Sequence, residues 1–252
     1  MLHSQKNKPN TFAAEKILHN FIYWQIKMKQ ILILSFLGLF LVACNTSEVE
    51  IKATQKKESP IQSLIDGNQR FVEKLAHDKE SHDKFLKNQN GQNPQAIIIT
   101  CSDSRIPPSV LFQKEIGDLF TIRTAGNIVG DLEMASIEYA VAHLHTPLIV
   151  VMGHTHCGAI SAFVHHEEAP EHIKILMDSL SKEKEIRTLV NSDSLHKEKE
   201  YVMANTLHTA YNISTQSKMV AEKIKKGELS IVPVVYDLET GKVSLLPFKS
   251  RL

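Results

Sequence analysis

Short apolar runs rich in β-branched residues alternate along the chain with segments in which apolar residues recur at helical spacing. Runs of this kind are typical of strands that are buried on both faces of a parallel sheet. The strand candidates are 96–100, 119–124, 147–152 and 229–236, with a fifth at 243–246 after a turn at 237–242. The helix candidates are 131–144, 157–164, one around 170–190 and one over 197–226 that Gly227 would end.

A further helix is predicted at the start of this region. Ser59 is a plausible cap with Pro60 at the first helical position, and apolar residues follow at roughly helical spacing as far as Leu75. Strands that alternate with helices predict an α/β fold, with a mostly parallel central sheet flanked by helices and an N-terminal helical arm. We expect residues 60–252 to form one domain of this class.

The N-terminal part of the chain has a different pattern. The stretch 31–43 is almost unbroken in its apolar character and follows Lys29. It is shorter than the roughly 20 residues that span a bilayer, but it suits the roughly 7–15 residues of a signal-peptide core. A buried core element at 31–43 is the alternative.

Cys44 follows this stretch in the order Leu-Val-Ala-Cys, which resembles a bacterial lipoprotein cleavage box. Residues 1–44 are therefore interpreted as an N-terminal extension and signal peptide, with Met28 as a second candidate start. Lipidation of Cys44 would anchor the exported chain to the bacterial membrane on its periplasmic side. The polar stretch 45–59 is interpreted as a flexible tether.

The composition excludes some classes of function. Lys and Arg total 29 against 28 for Asp and Glu, so the net charge is +1, which gives no indication of a nucleic-acid partner. The chain has 3 cysteines, too few for a disulfide framework. Cys101 and Cys157 are either inert core thiols or part of a site.

Two polar clusters follow directly after predicted strands. Cys101 comes after the first strand, and His154 and Cys157 come after the third. Ligands of such sheets bind beyond the carboxyl ends of the strands. If the two strands are neighbours, two thiolates and an imidazole meet at one point, which is a good zinc site with the fourth position left open for catalysis.

Asp103 and Arg105 lie in the first of these clusters. An exposed pair of this kind would be an ordinary ion pair that contributes little. Beside a metal, a carboxylate held by Arg105 stays ionised and fixed in direction, so it can accept a hydrogen bond from a metal-bound hydroxide.

The pattern Cys-x-Asp-x-Arg at 101–105 with His-x-x-Cys at 154–157 resembles the signature of the β-class carbonic anhydrases. The similarity extends over roughly residues 60–250, and includes stretches at 65–71, 123–127 and 136–140. It implies zinc-dependent interconversion of carbon dioxide and bicarbonate by zinc-bound hydroxide, with one zinc ion per subunit.

The resemblance also implies a role for each site residue. Cys101, His154 and Cys157 would be the zinc ligands, Asp103 and Arg105 the catalytic dyad, and Gly158 a backbone contact for bicarbonate. Asp103 would become a further ligand only in a closed form. A homodimer or homotetramer is implied, with N-terminal helices that embrace the partner. The stretch 113–117 departs from the family, since it has no clear counterpart of the substrate-contacting glutamine or tryptophan.

Other readings of the same residues stay open. The site could hydrolyse carbonyl sulfide or carbon disulfide, the zinc could stabilise a non-enzymatic binding module, or one cysteine with His154 could form a nucleophilic pair. His156 is a candidate proton shuttle because its unperturbed pKa is near 6.5, although neighbours on a strand end face opposite sides.

Overall fold

A five-stranded sheet organises the protein. The computed structural model describes residues 23–25, 27–28, 59–192 and 198–250. The strands are β1 (Ala96–Cys101), β2 (Leu119–Thr124), β3 (Leu148–His154), β4 (Ser230–Tyr236) and β5 (Val243–Leu245). Their order is β2-β1-β3-β4-β5, with the first four parallel and β5 antiparallel to β4. The predicted strands and the mostly parallel α/β sheet are confirmed.

Helices precede and separate the strands along most of the described chain. They are α1 (Pro60–His77), α2 (Lys79–Lys87), α3 (Pro108–Leu111), α4 (Asp131–Ala142), α5 (Gly158–Val164), α6 (Glu171–Lys182), α7 (Lys184–Val190), α8 (Glu198–Gln216) and α9 (Lys218–Lys225). The sequence did not predict α2 or α3. Gly227, with φ at +72°, ends α9 as predicted.

Two stretches predicted as single helices are each broken at one polar residue. The first divides into α6 and α7 at Glu183, and the second into α8 and α9 at Ser217. The Ser217 hydroxyl oxygen accepts a hydrogen bond from the Val220 N–H at 3.3 Å, so it starts a new helix. Serine side chains compete with the helical ladder in this way, which is why they favour helix starts.

The predicted start of α1 is confirmed, because the Ser59 hydroxyl oxygen accepts a hydrogen bond from the Gln62 N–H at 3.2 Å. None of the residues of α1 is buried. A boundary between two compact units falls at Asn68 within α1, and the unit from Gln69 onward contains the sheet. The N-terminal interpretation cannot be compared with this fold, since 31–43, Cys44 and the tether to residue 58 lie outside the described residues.

The core explains why β1 is an unbroken apolar run. All of its residues are buried, and Ile97 and Ile99 pack in one cluster with helix and strand side chains. Burial of such a side chain stabilises the fold by about 1.5–3 kcal/mol. Within the described part of the chain, no helix is both long and apolar enough to cross a membrane.

The register of the sheet brings the predicted polar clusters together. β1 and β3 are parallel neighbours, with Thr100 opposite Met152, so Cys101 and His154 end at the same edge. Helix α8 lies very close to this end of β3. A Cβ at Gly153 would overlap the Thr206 Oγ1, so a larger residue would not permit this approach.

Candidate metal centre

Three side chains from two strand ends meet at one buried point. The ligand atoms of Cys101, His154 and Cys157 all lie within 4.8 Å of one another, and the two sulfur atoms are 4.0 Å apart. β1 ends in Cys101, β3 ends in His154, and Cys157 immediately precedes α5. The structure therefore assembles the three predicted ligands.

One nitrogen of His154 is left without a partner. Its Nδ1 lies 2.9 Å from the Thr155 carbonyl oxygen, an acceptor, so Nδ1 carries the proton. The Nε2 atom is buried and has no hydrogen-bond partner among the described residues. A buried polar atom without a partner is destabilising, whereas a bare imidazole nitrogen fixed by a second hydrogen bond is the usual metal-ligand arrangement.

The two thiols differ in their affinity for a proton. A hydrogen bond from Cys157, together with one from the Gly126 N–H, lowers the pKa of Cys101 to about 4. The hydrogen bond to Cys101 and burial raise the pKa of Cys157. The pair thus carries one negative charge and one shared proton, which a cation that binds both sulfurs would displace. Two sulfurs and one imidazole nitrogen fit zinc.

Asp103 lies beside the three ligand residues and is held by Arg105. The Arg105 Nε donates to the Asp103 Oδ1 at 2.9 Å and its Nη2 donates to Oδ2 at 2.7 Å. These bonds lower the pKa of Asp103 to about 2. The Asp103 Oδ2 lies 4.0 Å from the His154 Nε2. The carboxylate is therefore ionised and lies next to the cluster, and its catalytic role stays a prediction.

Arg123 supports the same loop, a role that the sequence analysis did not assign. Its Nε donates to the Cys101 carbonyl oxygen at 3.1 Å, and its Nη2 donates to the Asp103 carbonyl oxygen at 2.6 Å. One guanidinium thus fixes the backbone of a ligand and of the dyad carboxylate. In the sequence, this role is indicated only by the position of a charged residue near the end of β2, shortly before a turn.

The turn after β2 contributes a backbone donor. The Gly126 N–H donates to the Cys101 sulfur at 3.3 Å. Gly126 has φ at +66°, and a Cβ there would lie 3.3 Å from the Cβ of Ala159 in α5. Glycine is therefore required at this position both for the left-handed backbone and for the close approach. The sequence resemblance included this turn but gave it no function.

Two other predicted positions lie beside the centre. Gly158 begins α5, and a Cβ on it would meet nothing within 4 Å, so it borders open space. The His156 ring is exposed, with Nε2 3.3 Å from the Glu239 Oε1, while its carbonyl oxygen accepts from Arg105. The roles of Gly158 in bicarbonate binding and of His156 in proton transfer stay predictions.

The stretch 113–117, which has no clear counterpart of the family's substrate-contacting residue, contributes an ion pair. The Glu115 Oε2 lies 2.8 Å from the Lys84 Nζ of α2.

The chain is similar to known proteins over most of this region. The family model described as carbonic anhydrase matches residues 96–243. Carbonic anhydrase 2 of Mycobacterium tuberculosis is 34% identical over 187 residues, which are 73% of this chain and 89% of that protein. The carbonic anhydrase of Synechocystis is 34% identical over 195 residues, 73% of this chain and 70% of its own length.

Solved structures agree with the sequence similarity. The β-carbonic anhydrase CcaA is 32% identical with a TM-score of 0.66, and the match covers 76% of this chain and 93% of that one. The β-carbonic anhydrase of Coccomyxa, solved with acetazolamide, is 28% identical with a TM-score of 0.65 and covers 75% and 86% of the two chains.

Proposed function

The chain belongs to the β-class carbonic anhydrases, zinc enzymes that interconvert carbon dioxide and bicarbonate, and we propose that it performs this reaction as an exported, lipid-anchored oligomer. The activity and the use of zinc follow from the family and from the Cys101, His154 and Cys157 cluster. The anchor, the location, the oligomer and the roles of individual residues are proposals.

The proposed ligand set is carried by one observation, the convergence of two thiols and one unpartnered imidazole nitrogen within 4.8 Å. When bound, zinc supplies a Lewis acid that lowers the pKa of a water molecule to about 7. Cys101 and Cys157 supply the negative charge, and the Thr155 carbonyl keeps the His154 Nε2 free of a proton. With three protein ligands, the metal would keep one position open for solvent.

Asp103 is proposed to orient the reacting solvent. Arg105 holds both carboxylate oxygens, and Arg105 itself is fixed by donation to the His156 carbonyl oxygen at 3.0 Å. A carboxylate with a pKa of about 2 stays ionised and can only accept a hydrogen bond. This directs a proton of the reacting solvent toward Asp103 and an oxygen lone pair toward carbon dioxide. Gly158 is proposed to contact bicarbonate through its N–H.

The activity is tested by zinc content together with stopped-flow hydration of carbon dioxide. The purified chain should bind one zinc ion per subunit and hydrate carbon dioxide, and His154→Ala should lose both properties. His82→Ala is the matched control, because it makes the same substitution at an exposed histidine of α2. Zinc binding without hydration would favour a binding module, and activity without metal would favour a cysteine nucleophile.

Related substrates need a separate comparison. Turnover of carbonyl sulfide and carbon disulfide should be far below the turnover of carbon dioxide by the same preparation. A higher turnover of either sulfur compound would make the chain a related zinc hydrolase with the same ligands.

The proposed anchor rests on the residues up to Cys44. Their apolar stretch has the length of a signal-peptide core, and Cys44 follows it in a lipoprotein-type box. In a bacterial host, the chain should incorporate labelled fatty acid and partition into detergent, and Cys44→Ser should abolish both. Cys157→Ser is the matched control, since it removes a different thiol. Incorporation that survives Cys44→Ser would exclude this cysteine as the anchor.

The proposed oligomer is supported by apolar surface on two separate parts of the chain. In α1, Ile61, Leu64 and Val72 are more than half exposed. A groove of about 390 Å³ opens on one face of the sheet and is lined mainly by apolar side chains, among them Ile98 and Val150. Patches of this kind on a stable domain are typical of protein interfaces. We propose that α1 of one subunit covers apolar surface of its partner.

Sedimentation tests this proposal. The wild-type chain should be a dimer or a tetramer, and Leu64→Glu should shift it toward the monomer because a charge would enter the interface. Gln69→Glu changes the charge of the same helix at another exposed position and is the control. A monomeric wild-type chain, or equal sedimentation of all three, would refute the interface.

A further inference from the structure

The turn that donates to Cys101 has an unfavourable backbone. Gly126 and Asn127 follow one another with φ at +66° and +50°. The left-handed region is uncommon for a residue other than glycine and persists only where surrounding structure holds it. The turn at 125–127 therefore needs support from another element.

Helix α8 supplies that support. The Asn205 Nδ2 donates to the Gly126 carbonyl oxygen at 2.7 Å, and the Thr209 hydroxyl donates to the Asn127 carbonyl oxygen at 3.4 Å. Asn205 and Thr209 are four residues apart, so they lie on the same face of the helix. Both side chains are buried. The shorter of the two bonds is made to Gly126, the residue whose N–H meets the sulfur.

Burial of Asn205 is not explained by packing alone. Its Oδ1 atom is buried and has no hydrogen-bond partner among the described residues. An unsatisfied buried amide oxygen is destabilising, and an apolar side chain of similar size would avoid it. The feature that requires an amide at this position is the donation to Gly126.

We propose that Asn205 is a positioning residue for the metal ligand Cys101. It fixes the Gly126 carbonyl oxygen, and this in turn holds the Gly126 N–H on the Cys101 sulfur. A hydrogen bond to a ligating thiolate directs the sulfur lone pairs and tunes the electron density that the metal receives. The loss of such outer contacts commonly lowers metal affinity or activity by about 10–100-fold.

The test compares the same substitution at two asparagines of α8. Asn205→Leu keeps the approximate volume and removes the donor. Asn212→Leu is the matched control, since Asn212 contacts His208 at 2.9 Å and makes no contact with the 125–127 turn in the described structure. Zinc affinity is measured by competition with a chelator. The thiolate-to-cobalt charge-transfer band of the cobalt-loaded protein provides a spectroscopic readout that is independent of activity.

Asn205→Leu should weaken zinc binding by about 10–100-fold and displace the charge-transfer band, while Asn212→Leu stays within about twofold of the wild type. An unchanged affinity and spectrum in Asn205→Leu would refute the role, and so would an equal loss in Asn212→Leu. If Asn205→Leu does not fold, Asn205→Ser, which is too short to reach Gly126, is judged by the same two outcomes. The inference rests on the metal site, and a wild-type chain that binds no zinc would instead refute that site.

Discussion

Glu183 has an unusual environment that makes its protonation measurable. The side chain sits between α6 and α7, is 3% exposed, and its Oε2 has no hydrogen-bond partner among the described residues. Burial, with a smaller contribution from the charge of Glu185, raises the pKa of Glu183 from 4.5 to about 9. The folded chain therefore keeps this carboxyl group protonated at neutral pH.

The sign of the resulting pH dependence follows from the two states. Between pH 4.5 and pH 9 the unfolded chain has released the proton that the folded chain retains. The free energy of unfolding then falls as pH rises, by about 1.4 kcal/mol per pH unit for one proton. The stabilising contribution of the Glu183 carboxyl group is fully present below its pKa of 4.5 in the unfolded chain. It is lost progressively as pH rises toward about 9.

Glu183→Gln removes this titration and keeps the shape of the side chain. Any free energy lost by burying the amide is independent of pH. The test is therefore how the difference in unfolding free energy between the variant and the wild type changes with pH. From about pH 5.5 to about pH 8, the stability of Glu183→Gln relative to the wild type should rise by about 3 kcal/mol. The measurement is urea unfolding followed by circular dichroism at a series of pH values.

The control is Glu168→Gln, which removes a carboxylate from an exposed position. Its stability relative to the wild type should be independent of pH over the same range. A flat difference for Glu183→Gln would show that the carboxyl group is ionised in the folded chain, and the reasoning from burial would be wrong.

Three further substitutions probe the metal centre and its support. Asp103→Ala should retain zinc and lose about 100-fold in carbon dioxide hydration, the typical cost of misplacing a reacting group. Metal loss would indicate a structural role instead. Arg123→Gln removes the charged donor to the carbonyl oxygens of Cys101 and Asp103. The free energy of unfolding should therefore fall by about 1.5–3 kcal/mol. An unchanged midpoint of thermal unfolding would contradict this role of Arg123. Gly153→Ala should destabilise the fold by about 1–3 kcal/mol through overpacking against Thr206. If chemical denaturation shows an unchanged free energy of unfolding, α8 can shift away from β3 to make room for the methyl group.

Much of the fold was predictable because its strands are continuous apolar runs. β1 is buried along its whole length, and such a run has few alternatives to the centre of a parallel sheet. The meeting of Cys101 and His154 was predictable because each of them ends a strand, and parallel neighbours end at the same edge. The separation of the 170–190 and 197–226 stretches into two helices each was not predicted, since one polar residue such as Ser217 gives only a weak signal of a break.

The supporting contacts of the site could not be predicted. Asn205 lies on α8 and reaches a turn 79 residues earlier in the chain, and helical periodicity does not indicate which buried polar residue makes such a contact. Glu183 is similar, because a charged residue in a polar stretch is ordinarily exposed. Its burial depends on how α6 and α7 pack, which is a property of the tertiary structure.

The most direct test of the metal centre is the zinc X-ray absorption spectrum of the purified chain. We expect two sulfur ligands at about 2.3 Å and one imidazole nitrogen at about 2.0–2.1 Å, with one further light atom. Cys157→Ala should remove one sulfur from the shell, and Cys44→Ser should leave the spectrum unchanged. A shell without sulfur, or one with four sulfur atoms, would contradict the assignment of Cys101, His154 and Cys157 as the zinc ligands.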